Sequence, residues 1–228
     1  MTHDSFREYQ CRVNLNLYDS PSCTRLATQA ATGRHLRILS PKTDLDSSIQ
    51  VCLCEDDYSG WVEIQDLKEI EEAQTPLRAY TISPTEIQNR LPQVIAFMQA
   101  AMQQPNYYLW GGTVGPNYDC SGLMQAAFSA SGIWLPRDSY QQEAFTESIA
   151  IQELQSGDLI FFGIGDRTTH VALYLGEGRY IHSSGQEQGR NGIGIDVLSE
   201  QGDSISQSYF RQLRSCGRVV ASYQPQRQ

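Results

Sequence analysis

Residues 69 to 85 divide this chain into two parts that do not share one hydrophobic pattern. The stretch is polar and acidic, contains Pro76 and Pro84, and holds no sustained apolar period, so it reads as a linker. Before it, from about residue 9 to 67, apolar residues alternate with polar ones: Cys11, Val13, Leu15 and Leu17, then Leu36 and Ile38, then Val51 and Leu53. Asp19-Ser20-Pro21-Ser22 and Ser59-Gly60 punctuate the runs, so this part predicts short strands closing into a small all-β barrel over residues 1–68. After the linker, Thr85-Glu86-Ile87 opens a helix with Leu91, Val94, Ile95, Met98 and Met102 along one face, in which Pro92 is tolerable only in the first turns. A second domain is expected over residues 86–228.

Within that domain the stretch Asn117-Tyr-Asp-Cys-Ser-Gly122 follows Trp110-Gly111-Gly112 and precedes an apolar run at helical spacing. Asp119 is a good N-cap, which puts Cys120 at the first helical position, in a helix that Gly132 ends. The unpaired N–H groups and the positive end of the helix dipole there favour thiolate over thiol. The following residues turn to strands: Leu159 to Phe162, His170 to Leu175, Arg179 to His182, Ile193 to Leu198 and Gly217 to Ala221. If the hairpin loop is the three residues Gly176 to Gly178, Leu175 faces Arg179 and His182 faces Ala172, which brings His170 and His182 to one face of the sheet. A two-residue loop would put them on opposite faces. Cysteine chemistry needs a nucleophile, a base and a group that orients the base, and Cys120, His170 and His182 can supply these roles. One Cys and two His are also a legitimate zinc set, but no acidic residue is placed as a metal-site base, and neither metal nor other cofactor is expected.

Composition narrows the partners. The formal net charge of -9 and the absence of a Lys/Arg cluster argue against nucleic acid, and the longest apolar runs are too short to cross a bilayer. The six cysteines are irregularly spaced and read as reduced; Cys52-Leu53-Cys54 lacks a zinc-knuckle spacer. Met1 to Glu8 carries polar and acidic residues where a secretory leader would be basic and then apolar, so a cytoplasmic location is expected if Met1 is the native start.

Two resemblances follow from these residues. The first region, with Gly60-Trp61-Val62 near its end, resembles a bacterial SH3-like module. The stretches Trp110-Gly111-Gly112, Asp119-Cys120-Ser121-Gly122, Pro136-Arg137-Asp138-Ser139, Gly157 to Phe162, His170-Val171-Ala172 and Ile181-His182-Ser183-Ser184 resemble, in order, the motifs of the NlpC-type cell-wall cysteine peptidases. That resemblance implies a papain-like α+β domain with a central antiparallel sheet, and cleavage of peptidoglycan stem peptides between γ-D-glutamate and the diamino acid. It implies Cys120 as nucleophile, His170 as base and His182 as its orienting partner, with the Cys120 N–H in the oxyanion hole. The pairing with an SH3-like module resembles cytoplasmic enzymes that recycle L-Ala-γ-D-Glu-diamino acid peptides. By motif, Asp119 would then help to bind the substrate amine, and Ser121, Arg137, Asp138 and Ser139 would line the D-glutamyl pocket, with Tyr58 from the barrel and Trp110 as cleft walls. An amidase or acyltransferase on the same scaffold, or a secreted hydrolase or binding protein acting on intact wall, are the alternatives. The diamino acid preferred and the oligomeric state are not legible.

Overall fold

Among the described residues seven strands make the first sheet: β1 (Glu8–Cys11), β2 (Leu15–Tyr18), β3 (Leu26–Ala30), β4 (His35–Ile38), β5 (Ser48–Leu53), β6 (Ser59–Glu63) and β7 (Ile70–Glu72). Their order is β3-β2-β6-β5-β4-β1-β7, and every pairing is antiparallel. The structure is a computed structural model that describes residues 7–39 and 47–226; the start of the chain that was read for a leader lies, as far as residue 6, outside the described residues. The alternating residues do what their spacing predicts: Cys11, Leu15, Leu17, Leu36, Val51, Leu53 and Val62 share one buried cluster, although Val13 is exposed. The linker reading over 69–85 needs correction at both ends. β7 adds to β1 as the edge strand of this sheet, and the next helix already begins at Pro84.

That helix, α1 (Pro84–Met102), starts on a capping box. Ser83 Oγ accepts from the Glu86 N–H and Glu86 accepts from the Ser83 N–H, with Pro84 at the first position where its missing N–H costs nothing. Pro92 lies well inside the helix rather than in its first turns. An interior proline costs about 3 kcal/mol. Burying Ile87, Leu91, Val94 and Met98 on the opposite account contributes about 1.5–3 kcal/mol each, so the apolar face wins.

The remaining elements are α2 (Cys120–Ala130), α3 (Ser139–Phe145), β8 (Glu147–Ile149), β9 (Leu159–Ile164), β10 (Arg167–Gly176), β11 (Arg179–Ser184), β12 (Gly192–Val197), α4 (Ser204–Arg211) and β13 (Leu213–Arg218). The second sheet is antiparallel, in the order β12-β11-β10-β9-β13-β8. Its strands alternate between two cores. Leu159, Phe161, Val171, Leu173 and Ile181 pack on α1 and α2, while Ile160, Phe162, Ala172 and Tyr180 form a separate cluster with Tyr209 of α4. The last strand occupies 213–218 rather than 217–221, and neither α3 nor α4 was anticipated.

The β10–β11 hairpin resolves the register question in an unexpected way. Leu173 pairs with Ile181 and Tyr174 with Tyr180, but Gly176 pairs with Arg179, so the turn has two residues, Glu177 and Gly178, and Leu175 is bulged out instead of facing Arg179. Both turn residues have positive φ, at 54° and 73°, the hand that matches strand twist. The bulge adds back the residue that the short turn removes. Continued one step, this register sets His182 opposite Ala172, and both histidines stay on one face.

Candidate active site

Cys120 is placed by a close approach of α2 to the Trp110-Gly111-Gly112 loop. Asp119 caps the helix by accepting the Gly122 N–H at 2.6 Å, and its own N–H donates to Gly112 O at 3.0 Å. A Cβ on Gly122 would sit 2.0 Å from Gly112 O, so only glycine allows this contact. Gly111 has φ +79°, and a Cβ there would meet the Leu26 carbonyl of β3 at 2.8 Å, so the loop is also pressed against the first sheet. The thiol receives backbone N–H groups from Ser121 and Val171, the latter being the residue after His170. The expectation of a thiolate is not met. Burial, and then the Asp119 carboxylate, push the Cys120 pKa up to about 12, outweighing the N–H groups and Arg137.

A chain of side chains starts at His170, the residue before Val171. His170 Nε2 is 2.7 Å from His182 Nδ1, and His182 Nε2 is 2.6 Å from Asp196 Oδ2. Burial acts to raise the Asp196 pKa, yet hydrogen bonds from His182 and Arg190 hold it below the usual carboxylate range. A carboxylate only accepts, so His182 carries its proton on Nε2 and accepts on Nδ1. His170 must then carry its proton on Nε2, and its Nδ1 keeps a lone pair. Burial lowers the pKa of both rings, well below the ordinary value for His170, although Asp196 works the other way on His182. Both are therefore neutral at pH 7. Tyr209 of α4 stacks on His170 with centroids 4.5 Å apart and planes 29° apart, and its hydroxyl shares a 2.6 Å hydrogen bond with Ser184.

Asp196, Arg190 and Tyr209 were not singled out from the sequence. Gly194 faces His182 across β11 and β12, and a Cβ on it would strike Arg190 at 2.1 Å. The bare glycine lets Arg190 reach over the strand to Asp196, whose Oδ2 accepts from Arg190 Nε at 3.1 Å. The one available signal was the run Gly192-Ile-Gly-Ile-Asp196, in which an acid shares the face of two glycines.

In front of the thiol lies a cavity of about 580 Å³. Tyr58, Trp110, Asp119, Cys120, Ser121, Arg137, Asp138 and Ser139 all line it, so every substrate-binding residue expected from the motifs is brought to one place, together with Arg25, Tyr140 and Arg167, which were not expected. Their charges are not equally available. Asp119 is taken up by Arg137, whose Nη2 lies 2.6 Å from Oδ2, and by the N–H groups of Gly111 and Gly122. Arg137, 2% exposed, also donates to Thr28 Oγ1 at 2.8 Å and to Ala27 O at 3.3 Å, which ties it to β3. Asp138 is half-buried; burial raises its pKa and Arg137 opposes the shift. Tyr58 is pushed up to about 12 by burial and then by Asp138.

Residues 105–214 match the NlpC/P60 family and residues 17–67 match the bacterial dipeptidyl-peptidase Sh3 domain. Over 95 residues the chain is 36% identical to the gamma-D-glutamyl-L-lysine dipeptidyl-peptidase of Bacillus subtilis, covering 40% of this chain and 30% of that protein. It is 39% identical over 95 residues to the probable endopeptidase p60 of Listeria seeligeri, covering 42% of this chain and 17% of the relative. The chain thus spans less than a third of the length of either. A solved NlpC/P60 family protein from Bacillus cereus aligns with 94% of this chain and 64% of its own, at 24% identity and a TM-score of 0.48. Residues 17–67 of this chain thus match a bacterial dipeptidyl-peptidase Sh3 domain, and residues 105–214 match the NlpC/P60 family.

Proposed function

We propose that this protein is a cysteine peptidase that hydrolyses the bond between γ-D-glutamate and the diamino acid in peptidoglycan stem peptides bearing a free N-terminal L-alanine. The observation that carries the reading is the run from His170 through His182 to Asp196, because it leaves the His170 Nδ1 lone pair as a base, while the N–H of the next residue, Val171, reaches the neutral Cys120 thiol. Both nitrogens of His182 are committed in that run, which disfavours the zinc alternative. As Cys120 Sγ attacks the γ-carbonyl carbon, its proton passes to His170 Nδ1, and the Cys120 backbone N–H faces the developing oxyanion. Collapse breaks the C–N bond and the same proton goes to the leaving amine. Water then attacks the thioester with His170 as base, the thiolate leaves with that proton, and the free γ-carboxylate is released.

The substrate amine is assigned to Asp138 and Tyr58 rather than to Asp119. Asp119 already faces a guanidinium and three further donors, whereas Asp138 is in no ion pair among the described residues and lines the cavity that Tyr58 walls from the first sheet. A substrate ammonium would offset the burial cost of Asp138. Acetylating the amine removes a charge-assisted hydrogen bond worth about 1.5–3 kcal/mol, so kcat/KM should fall about ten- to a hundredfold. By the same reasoning released peptides are the substrates and intact wall is not, which fits wall-peptide recycling in the cytoplasm. The name of the Bacillus subtilis relative supports the γ-D-glutamyl specificity.

The test is to incubate the protein with L-Ala-γ-D-Glu-diaminopimelate, its N-acetyl form and whole murein, and to weigh the products by mass. Release of free diaminopimelate from the first substrate, lost in Cys120→Ala, is the expected result. Equal cleavage of all three would reject the free-amine specificity, and cleavage by Cys120→Ala would reject the mechanism.

A further inference from the structure

The cavity in front of Cys120 is lined by three carboxylates and three guanidiniums. Two of each are already matched inside the protein: Arg137 with Asp119 at 2.6 Å, and Arg25 with Asp19 at 3.8 Å. The matched cations are otherwise engaged as well, Arg137 by Thr28 and Ala27 and Arg25 by the Trp110 ring 5.0 Å away. What remains outside an ion pair is one charge of each sign, Asp138, whose carboxylate accepts from Tyr140, and Arg167; the two are not within ion-pair distance of each other among the described residues. A cavity with one anion and one cation outside any ion pair fits a ligand that carries both charges itself.

Arg167 is held for such a role. It is the first residue of β10, three positions before His170, so the strand that sets the base also sets the start of this side chain. Its neighbour Thr168 is buried and bonded to Glu143 of α3, which anchors the strand there. The guanidinium carbon lies 4.8 Å from the ring centroid of Tyr140, next but one after Asp138. Stacking on a ring fixes the plane of a guanidinium while leaving its N–H edge free, and that edge matches a carboxylate in a way that an ammonium cannot.

We propose that Arg167 is a specificity-determining residue that binds the α-carboxylate of the D-glutamyl unit. The proposal rests on the γ-D-glutamyl reading above. In that substrate the acyl half carries both charges: the scissile γ-carbonyl is joined through two methylenes to the carbon bearing the α-carboxylate, and the alanine ammonium lies one residue beyond. With the γ-carbonyl at Cys120, the two charges meet the two cavity groups that lie outside an ion pair. The carboxylate of the diamino acid departs with the leaving group and does not enter this account.

The experiment compares kcat/KM for three peptides: L-Ala-γ-D-Glu-diaminopimelate, the same peptide with the D-glutamyl α-carboxylate converted to the amide, and the same peptide amidated only on the diaminopimelate. Each is assayed with the wild type, Arg167→Gln and Arg167→Lys. The wild type should prefer the first peptide to the D-glutamyl amide by roughly tenfold to a hundredfold, the range for a hydrogen bond to a charged group. Arg167→Gln should lose that factor on the acid and little on the D-glutamyl amide, and Arg167→Lys should keep part of the preference. An undiminished preference in Arg167→Gln, an equal loss on both peptides, or a preference that follows the diaminopimelate carboxylate would each overturn this assignment while leaving the peptidase reading intact. Failure of the wild type to cleave any of the three would overturn both.

Discussion

The chemistry of Cys120 is decided by residues two and three contacts away from it. A thiol whose pKa is pushed up to about 12 by burial is not a resting thiolate, and a histidine whose pKa burial lowers is not a resting imidazolium. On the proposed mechanism the proton moves during attack, so the tautomer of His170 matters more than its charge. That tautomer is set from Asp196 through His182. Replacing Asp196 by Asn removes the fixed acceptor and leaves Arg190 without its carboxylate. kcat/KM should fall by about ten- to a hundredfold, the worth of a charge-assisted hydrogen bond of about 1.5–3 kcal/mol. The acid limb offers a second readout. A lowered His170 pKa keeps the base unprotonated as the pH falls through 6.5, so activity should persist below the range of an ordinary histidine and be lost only as pH drops through the lowered value. Tyr209→Leu removes the stacked ring and opens the site to water, which should move that limb upward. A pH profile of kcat/KM that does not move in Tyr209→Leu would show that the ring only fills space.

Among the elements, what the sequence revealed and what it concealed differ for physical reasons. Helix α2 was legible at both ends. Asp119 caps it, and Gly132, at φ +72°, closes it with the Ile133 N–H reaching Phe128 O at 2.9 Å and its own N–H reaching Ser129 O at 2.9 Å. Those are local interactions, written in neighbouring residues. The convergence of His170 and His182 was legible only in outcome. A bulge at Leu175 and a two-residue turn cancel, and nothing in an apolar run says which of its residues will be extruded. Helix α4 escaped notice because it is short and has only three apolar residues, Ile205, Tyr209 and Phe210, and its value to the site is a contact across the sheet. The same limit hid Asp196, whose partners are brought to it by strand pairing. Gly122 gives an element-scale test. Alanine there would put a Cβ 2.0 Å from the Gly112 carbonyl, and since both sides are backbone, α2 and the loop must separate. Overpacking of this kind costs about 1–3 kcal/mol, so Gly122→Ala should lower the thermal midpoint by several degrees and displace Cys120 from the Val171 N–H, with activity falling more than stability. A melt and an assay on the same preparation separate the two effects.

Across the whole molecule, the first sheet is wired into the helix that carries Cys120 rather than tethered beside it. Arg137 spans from Asp119, the cap of α2, to Thr28 and Ala27 on β3. On another turn of α2, Gln125 donates to Asp56 at 2.7 Å, and Asp56 in turn accepts from the buried Arg34 at 2.8 Å. Thr113, just past the Trp110-Gly111-Gly112 loop, bonds to Gln29 through both its N–H and its hydroxyl. Cutting the chain near Thr85 would strip Arg137 of its Thr28 and Ala27 acceptors and Gln125 of Asp56, and would remove Tyr58 from the cavity. A buried donor left without a partner costs about 1–3 kcal/mol, and several would be orphaned together, so such a fragment should lose activity on the short peptide. Because loss could follow from misfolding alone, the sharper test keeps the full chain and changes one atom of the brace. Thr28→Val preserves shape and removes only the hydroxyl that Arg137 Nε donates to at 2.8 Å. If the sheet holds the Asp119–Arg137 pair in place, this variant should fold with a thermal midpoint a few degrees lower and show a reduced kcat/KM on L-Ala-γ-D-Glu-diaminopimelate. Unchanged turnover by both the fragment and Thr28→Val would make the first domain a tether, and the wall it forms at Tyr58 would then have no part in choosing the substrate.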